Sequence, residues 1–191
     1  MAMSIPLSQI TLPGHRAPGA GFEAPFEMLD ACHERVHRML ALLGKLQQHT
    51  QAHGWSEQVA QAAVDVMRYF DLAAPRHHED EERHVFPPLL AGPDPALRAL
   101  VLRLRQDHRD MEAAWAQARE VLVFASQPPP ANWADFTPAQ TALLHHFSSL
   151  YQRHIADEDS TVYPAAQAQM GAEAMQAMSA DMMRRRGLEL R

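Results

Sequence analysis

Apolar residues recur along most of this chain at alternating steps of three and four, the spacing of one helix face. Phe26, Leu29, Val36, Leu40 and Leu43 make a first seam, and Val59, Ala63, Val66, Phe70 and Ala73 a second. Leu97, Val101, Leu104, Met111, Trp115, Ala118 and Leu122 make a third, and Leu143, Phe147, Leu150 and Val162 a fourth. The punctuation agrees with the periodicity. A first helix starts near Phe26 and stops at Gly54. Ser56-Glu57 opens the second, Pro75 predicts a kink in it, and Pro87-Pro88 predicts its end. Asp94-Pro95 and Thr137-Pro138 each pair a capping side chain with proline at the first helical position. They predict a third helix to about Phe124 and a fourth to about Tyr163-Pro164. An Ala- and Met-rich stretch from about Ala165 to Arg186, closed by Gly187, predicts a fifth. Residues 1–22, with three prolines and three glycines, lack helical periodicity and predict an extended arm.

The predicted fold is therefore all-α: an up-down-up-down four-helix bundle over residues 23–164, preceded by the arm and followed at 165–191 by an additional C-terminal helix. That last helix caps the bundle or forms a homodimer contact.

Composition narrows the partners. The formal net charge is −6, and the single dense basic run, Arg184-Arg185-Arg186, is short and sits at a helix end, so nucleic acid is not expected. No apolar stretch reaches the ~18 residues of a membrane span. No basic segment followed by an apolar one opens the chain, so no secretory signal is expected. Cys32 is the one cysteine, so no internal disulfide forms, and a reducing cytoplasm fits.

The candidate chemistry lies in the seams. Twelve histidines are many for this length, and four of them occupy otherwise apolar seams: His33, His77, His108 and His154. In two seams a glutamate follows at i+4, Glu81 after His77 and Glu158 after His154, so each pair shares a helix face. In antiparallel neighbours these positions fall at one level. A lone seam histidine is usually a hydrogen-bonded core residue. Four of them with two carboxylates are different, because burying ionised carboxylates costs several kcal/mol each unless charge compensates. Two divalent cations supply that charge.

The chain also repeats itself. His77-His78-Glu79-Asp80-Glu81-Glu82-Arg83-His84-Val85-Phe86-Pro87 aligns without gaps on His154-Ile155-Ala156-Asp157-Glu158-Asp159-Ser160-Thr161-Val162-Tyr163-Pro164. The shared pattern is H-x-x-D-E-acid-x-x-V-aromatic-P. Two similar amphipathic helix ends explain the aromatic and the proline, but not the matched His and Glu.

These motifs, with Cys32-His33-Glu34-Arg35 and Asp107-His108, resemble the hemerythrin family of HHE cation-binding domains over about residues 24–164. The resemblance implies a non-haem di-iron centre with His33, His77, Glu81, His108, His154 and Glu158 as ligands, Glu81 and Glu158 bridging. Oxygen-carrying members bear a second histidine one turn after the first on the third helix. Here that position is Glu112, taken as a seventh ligand or an outer neighbour, and it argues against simple reversible oxygen carriage. The donor set itself suits two iron ions, with Mn or Zn as alternatives. A structural zinc site closes with four ligands and needs no more. An open coordination position would take O2, peroxide or NO. The expected role is sensing or stress response; the alternatives are a di-iron oxidase or peroxidase and a redox-silent structural metal bundle.

Other residues are expected to play smaller parts. His37 and His78 are read as facing the bundle edge, His145 and His146 as ordinary, and Tyr69 and Trp115 as core. Tyr151 is read as a neighbour of the site, Cys32 as a buried small residue, and the methionines from Met170 to Met183 as packing.

Overall fold

The computed structural model describes residues 24–131 and 133–188. The predicted arm falls outside them. Among the described residues there are helices and no strand. Four long helices, α1 (Pro25–His53), α2 (Glu57–Asp80), α4 (Pro95–Ala125) and α5 (Pro138–Asp157), carry the predicted seams. Between and after them lie α3 (Phe86–Ala91), α6 (Tyr163–Gln169) and α7 (Ala172–Arg185). The long helices pack α1 on α2, α2 on α4, α4 on α5 and α5 back on α1.

The helix starts follow their capping chemistry. The Ser56 hydroxyl accepts from the Val59 N–H at 3.4 Å, and Asp94 accepts from Ala96 at 2.8 Å and Leu97 at 3.2 Å. Thr137 and Gln140 form a reciprocal capping box, satisfying two N–H groups that the helix itself leaves free. Gly54 ends α1 at φ 73°, a left-handed conformation that a side chain would disfavour. The chain stays helical through Pro75.

The predicted ends at Pro87-Pro88 and Pro164 do not occur. A π-helical turn, Glu81–Val85, follows α2, and a second, Glu158–Val162, follows α5. In each, the next residue donates five positions back, Phe86 to Glu81 and Tyr163 to Glu158. The wider turn resets the register, so the prolines fall in the first turn of α3 and α6, where a missing N–H costs nothing. The predicted fifth helix is consequently two. Chain direction breaks at Met170, which is extended, and α7 begins after Gly171.

The core is divided. Val36, Ala74, Met111 and Tyr151 belong to one apolar cluster, and Leu29, Val85, Leu104 and Val162 to another. Along each long helix, with the π-turn that follows α2 or α5, the seam histidine lies between members of the two, so a polar layer crosses the bundle. Met178 and Met182 on α7 are fully buried in the second cluster, so α7 caps that end.

An ion cluster fastens α7 down. Asp80 is fully buried and accepts from Arg185 and, at 2.6 Å, from Arg186. Asp181 meets His84 at 2.9 Å. Removing both guanidiniums would leave the Asp80 carboxylate buried without a counter-charge. The double variant Arg185→Ala/Arg186→Ala is expected to lose about 3 kcal/mol of stability in urea unfolding, with m unchanged.

Candidate metal centre

His33, His77, His108 and His154 come from four different helices and are each 2–4% exposed, while Glu81 and Glu158 are completely buried. Ligand atoms of His33, His77, Glu81 and Glu158 lie within 4.8 Å of one another, and so do those of His108, His154 and Glu158. The imidazoles form two pairs, His33 with His77 at 4.8 Å between ring centres and His108 with His154 at 4.9 Å.

Each carboxylate spans both pairs. Glu81 turns Oε1 to His77 Nε2 at 3.4 Å and Oε2 to His108 Nε2 at 3.4 Å. Glu158 turns Oε2 to His33 Nε2 at 3.2 Å and Oε1 to His154 Nε2 at 3.1 Å. Most of these approaches lack hydrogen-bond alignment: Glu81 Oε2, both Glu158 oxygens, His108 Nε2 and His154 Nε2 are buried with no hydrogen-bond partner. Unsatisfied buried atoms of this kind call for an explanation, and a bound cation is one.

The π-turns help to aim these groups. Both begin at the glutamate, one turn after its histidine. The acid that follows each glutamate reaches a different helix: Glu82 accepts from His108 Nδ1 at 3.0 Å, and Asp159 accepts from His33 Nδ1 at 2.7 Å. Asp107 stands 3.4 Å from His154 Nδ1. Ionised carboxylates only accept, so each fixes the ring proton on Nδ1 and leaves Nε2 to face the cluster. His77 Nδ1 has no such partner. The repeat's aromatic residues stack on the same rings, Phe86 on His108 at 5.6 Å and Tyr163 on His33 at 5.3 Å. The Tyr163 hydroxyl also donates to Glu81 and lies 3.2 Å from His33 Nε2.

Electrostatics reflect this crowding. Burial works against charge on His33, but the hydrogen bond to Asp159 and the nearby carboxylates of Glu158 and Glu81 outweigh it and push the imidazole up to about 10. Burial likewise opposes charge on His154, yet Glu158 and Asp107 push it up to about 9. Burial drives His77 down to about 3, with Glu81 only partly opposing. Burial raises Glu158, but His154 and His33 hold it down to about 2.

The six seam residues are thus brought together, and Glu112 is not. It is exposed on α4. Met111, one residue earlier and 1% exposed, takes the inward position after His108, which leaves Glu112 on the outer flank. His78 also departs from expectation. It is half-buried and stacks on His108 at 4.0 Å rather than facing the bundle edge. Both line a groove of about 620 Å³ that reaches His108. His145 and His146, read as ordinary, are exposed. Cys32 is buried, and burial pushes its thiol up to about 11, consistent with an inert small residue. The roles of Glu82, Asp159 and Tyr163 were not read from the sequence, although all three lie in the repeat at matched positions.

Asp159 gives a direct test. The folded pKa of His33 lies above its unfolded value, so the stability it contributes is complete below about 6.5 and is lost as pH rises toward 10. Asp159→Ala is expected to lower the His33 pKa of metal-free protein, seen in an NMR titration of the imidazole protons. The alkaline loss of stability should then be smaller and be complete at a lower pH.

The comparisons with known proteins agree with the geometry. A family model, the hemerythrin HHE cation binding domain, matches residues 24–166. An uncharacterized protein of Haemophilus influenzae is 30% identical over 144 residues, covering 73% of this chain and 77% of that protein. The match spans all six clustered residues, and the chain belongs to the hemerythrin HHE cation-binding domain family.

Proposed function

We propose that this protein binds two metal ions, iron by preference, in the layer between its two apolar cores, and uses them to respond to O2, peroxide or NO. One observation carries the reading: two fully buried carboxylates each present one oxygen to either of two imidazole pairs, and three of those four oxygens have no hydrogen-bond partner. His33 and His77 would hold one ion, His108 and His154 the other, and Glu81 and Glu158 would span both. Glu112 is left out of this set. Bound iron would supply the redox chemistry. The chain's own contribution is to fix the ring tautomers through Asp159, Glu82 and Asp107, to seal the His33 side with Tyr163, and to keep bulk water from the layer.

Membership of a cation-binding family supports metal binding in general. The preference for iron rests on the mixed imidazole and carboxylate donors and on a ligand count beyond that of a structural zinc site. The ring of helix packing and the short connections support an up-down-up-down order. No described helix is long and apolar enough to cross a membrane, and the single cysteine favours the cytoplasm. The groove at His108 favours a second reading, a di-iron oxidase or peroxidase, because it admits molecules larger than a diatomic gas.

Elemental analysis of protein produced with iron should find two metal ions per chain. His77→Ala, His154→Ala, Glu81→Ala and Glu158→Ala should each lose at least one, whereas His145→Ala and Glu79→Ala should lose none. One ion or none in the parent protein would overturn the proposal. Absorption that changes on adding O2, peroxide or NO would set iron chemistry apart from a redox-silent ion, and peroxide turnover would favour the enzyme.

Metal affinity should depend on pH. At neutral pH His33 and His154 carry protons in the metal-free protein, since their pKa values are about 10 and 9. Those protons must leave when metal binds. Affinity should therefore rise between about pH 7 and 9, and calorimetry in buffers of different ionisation enthalpy should detect at least about two protons released per chain, since His108 is raised as well.

A further inference from the structure

The groove beside the cluster is larger than a gas or peroxide ligand needs. Its volume of about 620 Å³ falls within the range of pockets that hold small organic molecules. Phe70, Met111, Trp115 and Tyr151 supply an aromatic and thioether lining, and His78 and Glu112 stand among its polar residues. These polar groups are not equally occupied. Glu82 is engaged by His108, Arg83 pairs with Glu79 at 2.7 Å, and Arg109 donates to Gln106 at 3.0 Å. Neither Glu112 nor His78 makes a hydrogen bond among the described residues.

We propose that the groove binds a small aromatic molecule carrying a hydroxyl or amine donor, a phenol or an arylamine, with its donor on Glu112 and its ring against Trp115 and Met111. The carboxylate only accepts hydrogen bonds, and the imidazole of His78 can accept one, so the free polar groups ask for a donor. An aromatic ring matches the lining in shape and gains from stacking and sulfur contact. An anionic aromatic would face Glu79, Glu82 and Glu112, with both guanidiniums already engaged. Such a ligand would lie next to His108, within reach of the dinuclear site. Its functional sense rests on the metal reading above, but its binding does not.

The test uses the full chain as purified, with metal content measured first. Calorimetric titration with 4-methylphenol, toluene and benzoate reads affinity, and NMR shifts of the Trp115 indole N–H report the place. The expected result is saturable one-to-one binding of 4-methylphenol that moves the Trp115 signal, with toluene and benzoate weaker. Glu112→Gln, at an exposed position where folding is not at risk, should weaken 4-methylphenol about tenfold and leave toluene unchanged. Trp115→Ala should weaken both. No saturation, equal affinity for toluene, or an unaltered Glu112→Gln variant would overturn the proposal. The metal count answers separately for the metal centre, so either reading can fail while the other stands.

Discussion

Everything in this fold is arranged around the burial of two carboxylates. Glu81 and Glu158 are wholly removed from water in the middle of a helical core. Left to themselves they would cost several kcal/mol each, so the structure must surround them with positive charge. Without metal, protons do this: His33 and His154 hold theirs well past neutrality, and Glu158 stays ionised because they do. Bound cations would do it better, since divalent ions held by the four imidazoles and two carboxylates would satisfy the atoms that protons leave unpaired. The same constraint explains the split core. Apolar packing holds the bundle together on either side of the polar layer.

The two π-turns are part of that arrangement. An α-helix that met Phe86-Pro87-Pro88 or Tyr163-Pro164 in regular register would lose hydrogen bonds and clash with its own preceding turn. Adding a residue to the turn at Glu81 and at Glu158 accommodates the prolines. It also carries the following acid, Glu82 or Asp159, toward a histidine on a neighbouring helix, and sets the aromatic over that same ring. One backbone irregularity therefore positions three side chains in each half of the repeat, at the point where function is concentrated.

The long helices, their starts and the six inward residues were legible in the sequence because each rests on a local rule: a period, a capping side chain, or a His–Glu pair at i+4. What escaped depends on register beyond one helix. Proline reads locally as a stop, and only the π-turn reveals why the helix continues. Glu112 shares a side of α4 with His108 on a helical wheel, but Met111 fills the inward place and leaves it on the groove. His78 reads as an edge residue until packing of α2 on α4 lays its ring on His108. The outer carboxylates carried a signal that could have been used. Glu82 and Asp159 occupy matched positions in the repeat, and an acid preserved in both halves beside a buried glutamate asks for a partner.

The halves of the repeat are alike in how they hold charge and unlike in access. On one side Tyr163 stacks on His33, and its hydroxyl is bonded to Glu81, so the ring both fills space and ties a carboxylate down. Tyr163 is itself 3% exposed, which closes that side. Phe86 is the matched residue on the other side. It stacks on His108 but has no hydroxyl to bond a carboxylate, and His108 also stacks on His78, with which it borders the groove. A molecule arriving through that groove meets the His108 half first, while the His33 half stays sealed behind a buried phenol. A single oxygen atom, present on Tyr163 and absent from Phe86, thus accompanies the difference between a closed half of the layer and one that borders the groove.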